Sequence, residues 1–111
     1  MISVSIIGPG RVGGALAIAL PREKYSVDLI IGRSQPHPDL FASAGHLPFV
    51  DFEDITTIES DVVFITTGDG SIREVSKAIA GKIHASSYVF HTSGALTSTV
   101  MEDLAAAGCH T

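Results

Sequence analysis

Near the start of this 111-residue chain, a glycine-rich turn separates two segments of different periodicity. Ile2 to Ile7 is a short β-branched run and predicts a strand. Gly8-Pro9-Gly10-Arg11-Val12-Gly13 follows, and Val12 to Leu20 has the apolar composition of a helix. A second apolar run, Val27 to Ile31, predicts another strand and ends in Gly32-Arg33-Ser34. Strand, glycine turn, helix and strand in this order leave little freedom. The two strands must lie parallel, joined by a right-handed crossover.

The glycines are spaced as G-x-G-x-x-G, and each position has a physical reason. Gly8 lets the chain leave the strand in a tight turn. Gly10 has no side chain to keep a pyrophosphate away from backbone N–H groups, and Gly13 lets the helix pack near the sheet. The helix N-terminus then directs unpaired N–H groups and the positive end of its dipole at the phosphates. The flanking strands make this a dinucleotide-binding pattern rather than a chance spacing. The end of the second strand selects among dinucleotides. An acidic residue there holds the 2′-hydroxyl of NAD, whereas a cation suits the 2′-phosphate of NADP. No carboxylate lies between Leu29 and Gln35. Arg33 can fork onto a phosphate and Ser34 can add a hydroxyl bond, so the expected cofactor is NADP.

Composition narrows the partners. Hydrophobic residues make up 45% and charged residues 17% of the sequence, with a mean hydropathy of +0.35. That is apolar for a free-standing small domain, and the surplus is expected to face protein: a homo-oligomer, or a C-terminal helical domain missing from this stretch. The net charge of −5 argues against nucleic acid. No apolar run has the length of a bilayer span, and the N-terminal run reads as a strand rather than a secretion signal. A single cysteine, Cys109, excludes an internal disulfide and fits a cytoplasmic setting.

The chain is expected to be one domain over residues 1–111, without repeats or linkers. After Gln35-Pro36-His37-Pro38, a turn, Asp39 to Ala44 predicts a short helix closed by Gly45. His46 to Val50 predicts a short strand and Phe52 to Ile58 a helical turn. Asp61 to Thr66 predicts a buried parallel strand, apolar on both faces. Ser71 to Ile83 predicts a helix, with Ser71 and Glu74 in capping-box spacing and Ile72, Val75, Ile79 and Ile83 on one face. Tyr88 to His91 predicts a strand, Thr97 to Ala107 a helix ended by Gly108, and Cys109-His110-Thr111 the start of one more strand. The alternation predicts a doubly wound parallel sheet of the α/β class, in strand order 3-2-1-4-5.

Such a sheet binds ligands where the strand order reverses, outside the carboxyl ends of the first and fourth strands. Three segments meet there: Gly8 to Gly13, Thr66 to Ser71, and His91 to Leu96. Thr66, Thr67 and Asp69 offer hydroxyls and N–H groups to the ribose or pyrophosphate, and Asp69 or Ser71 is expected to cap the following helix. In the third segment, Ser93 and the Gly94 N–H are placed to hold a substrate carboxylate or carbonyl. His91 is placed near the chemistry, but a strand-end histidine bonded to neighbouring backbone is the favoured reading, and no catalytic residue is assigned. His37, His46, His84 and His110 have no metal-ligand spacing, so no metal is expected. Cys109 reads as a small buried apolar residue.

GPGRVGGALA, the GRS end of the second strand and HTSGAL together resemble the N-terminal domain of Rossmann-like oxidoreductases. These are related to the 6-phosphogluconate and 3-hydroxyisobutyrate dehydrogenases and to pyrroline-5-carboxylate reductases. The resemblance covers essentially the whole chain, with HTSGAL its most specific part. It implies that Gly8, Gly10, Arg11, Val12 and Gly13 form the phosphate loop and that Arg33 and Ser34 hold the 2′-phosphate. Thr66, Thr67, Asp69 and Ser93 then line the cofactor. It also implies a mostly helical C-terminal domain that completes the substrate pocket, here absent. The expected function is that of an NADP-dependent oxidoreductase domain, moving hydride between nicotinamide and a small carbonyl or imine substrate, and incomplete as a catalyst by itself. Two other readings stand beside it. One is a catalytically silent nucleotide-sensing module, which resembles this chain in the glycine loop but usually keeps an acid after the second strand. The other is a structural fragment associating through an apolar edge.

Overall fold

Alternating side chains on the first strand set the two faces of the sheet. The computed structural model describes residues 2–8, 19–21, 23–32, 49–93 and 97–111, with the side chains of residues 69 and 98 outside that description. β1 (Ile2–Ile7) sends Val4 and Ile6 to one face, and Ser5 and Ile7 to the other. It lies between β2 (Tyr25–Gly32) and β4 (Val62–Ile65), parallel to both. β3 (Phe49–Asp51) pairs outside β2, and β5 (Tyr88–His91) pairs outside β4. The order β3-β2-β1-β4-β5, all parallel, is the one the sequence predicts.

Each face has its own core. Val4, Ile6 and Ile30 are buried on one, with Val27, Phe49, Val62 and Phe64 packed around them. Ile7, Ile31, Val63, Ile65 and Val89 are buried on the other. That second face is covered by α1 (Ile72–Ile79) and α2 (Glu102–Ala106), through Ile72, Val75, Ile79 and Leu104. The helix expected over Val12 to Leu20 is described only from its end, where Ala19 is helical. The expected Gln35–Pro38 turn and Asp39–Ala44 helix lie outside the described residues.

Several boundaries differ from the sequence reading, each for a tertiary reason. β2 starts earlier than Val27, because Tyr25 and Ser26 pair with Ile2 and Ser3. The strand expected over His46 to Val50 runs one residue further, to Asp51, because Asp51 pairs with Gly32; residues 46–48 lie outside the described residues. The helical turn expected over Phe52 to Ile58 is a 3₁₀ turn of Phe52–Asp54 only, because Ile55 and Ile58 are drawn into the core beyond it. The helix expected over Ser71 to Ile83 ends at Ile79. Ile83 instead forms a parallel bridge with Ile58, held by Ile58 N–H to the Lys82 carbonyl and His84 N–H to the Ile58 carbonyl, both 2.8 Å. Ser71 makes no side-chain cap bond, contrary to the capping-box spacing. It belongs to a 3₁₀ turn (Asp69–Ser71), and its own N–H bonds the Gly68 carbonyl at 2.9 Å.

The last helix begins as a 3₁₀ turn (Ser98–Met101) before α2. Gly108 closes it at φ +100°, with Cys109 N–H reaching back to the Leu104 carbonyl at 3.1 Å. The expected further strand begins as predicted, since His110 bridges Tyr88 in parallel along the outer edge of β5. At the opposite end of the sheet, Ser3 and Asp61 clasp β1 to the entry of β4. The Ser3 N–H and hydroxyl both donate to the Asp61 carboxylate at 3.1 Å, and Asp61 N–H returns a bond to the Ser3 hydroxyl oxygen at 2.9 Å. The backbone N–H of Ser3, then its hydroxyl, hold the Asp61 carboxyl below the ordinary value of 3.8.

Candidate functional site

Because all five strands are parallel, their carboxyl ends share one edge of the sheet. β1 and β4 are neighbours there, at the point where the strand order reverses, which is where sheets of this kind form a ligand crevice. A row of backbone bonds ties this edge together. Gly8 N–H bonds the Ile31 carbonyl at 2.7 Å, Thr66 N–H the Ile7 carbonyl at 2.8 Å, and Thr92 N–H the Ile65 carbonyl at 3.3 Å.

Gly8 fixes the floor of the crevice. It sits at φ +89°, in the left-handed region. A Cβ added to it would stand 2.7 Å from Thr67 Cγ2 and 2.9 Å from the Thr67 backbone nitrogen. The absent side chain therefore lets the exit of β4 press against the exit of β1. Thr66 locks that approach from the other side, because its hydroxyl donates to the carbonyls of Ile7 (3.1 Å) and Gly8. With its proton committed to backbone here, the Thr66 hydroxyl shapes the turn. Thr67 differs. Its Oγ1 is buried and has no hydrogen-bond partner among the described residues. Beyond it the loop turns through Gly68 and Asp69, and α1 begins.

One strand over, His91 ends β5. Its Nδ1 accepts a bond from the Ser93 N–H at 3.2 Å, and its Nε2 lies 3.1 Å from the Thr97 carbonyl. A nitrogen that accepts from N–H carries no proton, and one that faces a carbonyl must carry one. These contacts assign the neutral Nε2–H tautomer. The histidine is bonded to neighbouring backbone, as the sequence reading favoured, and it spans the turn that carries Ser93.

The structure thus brings Gly8, Thr66 and Thr67 into one seam. Asp69 stands at the start of the adjoining 3₁₀ turn, and Ser93 at the exit of the next strand. Gly10, Arg11, Val12, Gly13, Arg33 and Ser34 lie outside the described residues. Gly32, which precedes Arg33, pairs with Asp51 at the end of β3. Sequence reasoning missed the commitment of the Thr66 hydroxyl and the reach from His91 to Thr97. The available signals were a threonine directly after a strand that faces a glycine turn, and a histidine two residues before a serine at a strand end. Cys109 is buried, with its Sγ 3.8 Å from the His84 carbonyl, and burial pushes its thiol up. It packs with the core, as expected. No group of three His, Cys, Asp or Glu side chains is arranged to hold a metal among the described residues.

The family model for a Rossmann-like domain matches residues 1–111. No curated protein matches the sequence. Among solved structures, the chain is similar to a Bacteroides fragilis protein assigned as an NADP oxidoreductase, with a TM-score of 0.73 at 18% identity, over 91% of this chain and 39% of the other. It is similar to lactate dehydrogenase from Eimeria maxima, solved with NADH and oxamate, with a TM-score of 0.68 at 17% identity, over 96% and 40% of the two chains. A Bacillus subtilis protein assigned as an oxidoreductase gives a TM-score of 0.67 at 22% identity, over 98% and 32%. At these identities the likeness is one of fold. The chain spans two-fifths or less of the length of each.

Proposed function

We propose, from the premise that this chain belongs to the Rossmann-like domain family, that it is the NADP-binding domain of an oxidoreductase acting on a small carbonyl or imine. The observation that carries this reading is the seam between β1 and β4. There a glycine at φ +89° admits close approach, and the Thr67 hydroxyl is buried without a partner among the described residues. A buried hydroxyl left unbonded costs about 1–3 kcal/mol, which a ligand oxygen at the crevice would recover. The glycine spacing from Gly8 to Gly13 supplies the phosphate cradle. Arg33 and Ser34, in place of an acid after β2, favour NADP over NAD.

When bound, the nicotinamide supplies or accepts hydride. The contribution of this chain is placement. The Gly8 turn and Thr67 hold the pyrophosphate side, and the loop after β5 orients the substrate through Ser93 and the Gly94 N–H. Neighbours described as an NADP oxidoreductase and as a dehydrogenase solved with NADH support a nicotinamide cofactor. Those proteins are more than twice as long as this chain, which supports a substrate pocket completed by a helical domain or a partner chain. Among the described residues, no helix is long and apolar enough to cross a membrane. The lone buried Cys109 supports a cytoplasmic setting.

Fluorescence titration with NADPH, NADH and ATP tests the reading. NADPH should bind at least about tenfold more tightly than NADH, or ~1.4 kcal/mol, within the reach of one charge-assisted phosphate contact. Arg33→Ala should abolish that preference while leaving NADH affinity nearly unchanged. Equal affinity of the unaltered chain for both dinucleotides overturns NADP, and a preference for ATP moves the assignment to a nucleotide sensor.

A further inference from the structure

The peptide that leads from β1 into the expected glycine turn has only one hydrogen-bonding group. It joins Gly8 to Pro9, and proline contributes no N–H, so the Gly8 carbonyl stands alone. Among the described residues, that carbonyl is bonded by the Thr66 hydroxyl, reaching across from just beyond β4. The same hydroxyl donates to the Ile7 carbonyl at 3.1 Å, but Ile7 does not depend on it, because the Thr66 N–H already bonds that oxygen at 2.8 Å. The Gly8 N–H is occupied separately, by the Ile31 carbonyl of β2 at 2.7 Å. Gly8 is therefore held at its nitrogen by backbone and at its carbonyl by a side chain.

We infer that Thr66 is a positioning residue for the dinucleotide: its hydroxyl fixes the plane of the Gly8–Pro9 peptide, and so the direction in which the chain leaves β1 for the phosphate turn. Gly8 needs such a restraint more than another residue would. With no Cβ it passes freely between backbone regions, and it sits here at φ +89°. The bond at its N–H fixes one side of the residue, but rotation about ψ would still swing the carbonyl. That swing has an electrostatic cost for an anionic ligand. A phosphate is bound where N–H groups point at it, and a carbonyl oxygen turned into the crevice would oppose it. Bonded by Thr66, the Gly8 oxygen is kept in the seam with β4. The inference rests on the nicotinamide reading above.

Thr66→Val provides the test, because valine keeps the branched shape and loses the hydroxyl, while Thr66→Ser keeps the hydroxyl and loses the methyl group. Affinities for NADPH and NADH are measured for the unaltered protein and both variants. Thr66→Val should bind both dinucleotides about three- to tenfold more weakly. The ratio of the two affinities should stay that of the unaltered protein, because the phosphate turn serves the pyrophosphate common to both. Thr66→Ser should bind within about twofold of the unaltered protein. Undiminished binding by Thr66→Val overturns the inference. So does an equal loss in Thr66→Ser, which assigns the effect to the methyl group, and so does a loss confined to NADPH, which assigns it to the 2′-phosphate. Where Thr66→Val fails to fold, Thr66→Ala takes its place, since it differs from Thr66→Ser only by the hydroxyl. The ¹³C shift of the Gly8 carbonyl gives a second, ligand-free readout. It should move upfield in Thr66→Val, as a carbonyl does when it loses a polarising hydrogen bond, and return in Thr66→Ser. A Gly8 carbonyl indifferent to the loss of the hydroxyl overturns the inference. If none of the proteins binds either dinucleotide, the nicotinamide reading fails, and the carbonyl shift still decides whether Thr66 sets the peptide.

Discussion

At Gly8 a single methyl group separates two different strains. Alanine there would have to hold φ +89° and also force its Cβ to 2.9 Å from the Thr67 backbone nitrogen, which has no flexible end to yield. Gly108 isolates the first strain, since it sits at φ +100° but a Cβ would meet only Ala85 Cβ at an ordinary 3.5 Å. Gly8→Ala should therefore cost about 2–5 kcal/mol and Gly108→Ala about 1–2 kcal/mol, read from urea midpoints. Equal costs would mean that the seam yields freely. The need for glycine at position 8 was legible from its place between strand and helix. What it packs against was not, because Thr67 is distant in sequence and only the β1–β4 pairing brings it near. The same distance hid the role of Thr66.

Among the elements, α1 shows what periodicity can and cannot specify. Ile72, Val75, Ser76 and Ile79 are buried on one face, and the Ser76 hydroxyl is satisfied by the Ile72 carbonyl at 2.8 Å. The 3.6-residue spacing predicts that face. It does not predict the end at Ile79, because Ile83 has a suitable phase but is claimed by Ile58 in a backbone bridge. Nor does it predict the start, where a 3₁₀ turn precedes the helix and Ser71 makes no side-chain cap bond. Ile79→Ala should destabilise the domain by about 2–5 kcal/mol, whereas Lys77→Ala, on the exposed face, should stay within about 0.5 kcal/mol by thermal or urea unfolding. A cost at Lys77 comparable to that at Ile79 would contradict the assigned orientation.

For the molecule as a whole, the strand order was legible because alternating strand and helix patterns force parallel pairing and right-handed crossovers. The clasp at the amino edge was not, since nothing local to Ser3 announces Asp61. That clasp links stability to pH. The folded Asp61 carboxyl lies below the ordinary 3.8, so its ionised form favours the folded state. The contribution is present above 3.8 and is lost as pH falls through the lowered value. Asp61→Asn should therefore lower the thermal midpoint at about pH 6, and the gap to the unaltered protein should close toward about pH 2. A gap that persists at acid pH would assign the clasp to hydrogen bonding independent of charge.

His110 lies beside Tyr88 with backbone bonds on both sides, from its N–H to the Ser87 carbonyl at 2.8 Å and from Val89 N–H to its carbonyl at 2.7 Å. Those bonds occupy the outer rim of β5, where the aromatic rings of Tyr88 and Phe90 are half-open to water. A rim of this kind, if bare, would recruit any extended chain that drifted against it. His110 therefore works like a stitch along that hem, taking up two backbone groups that would otherwise be loose threads for a stranger to catch.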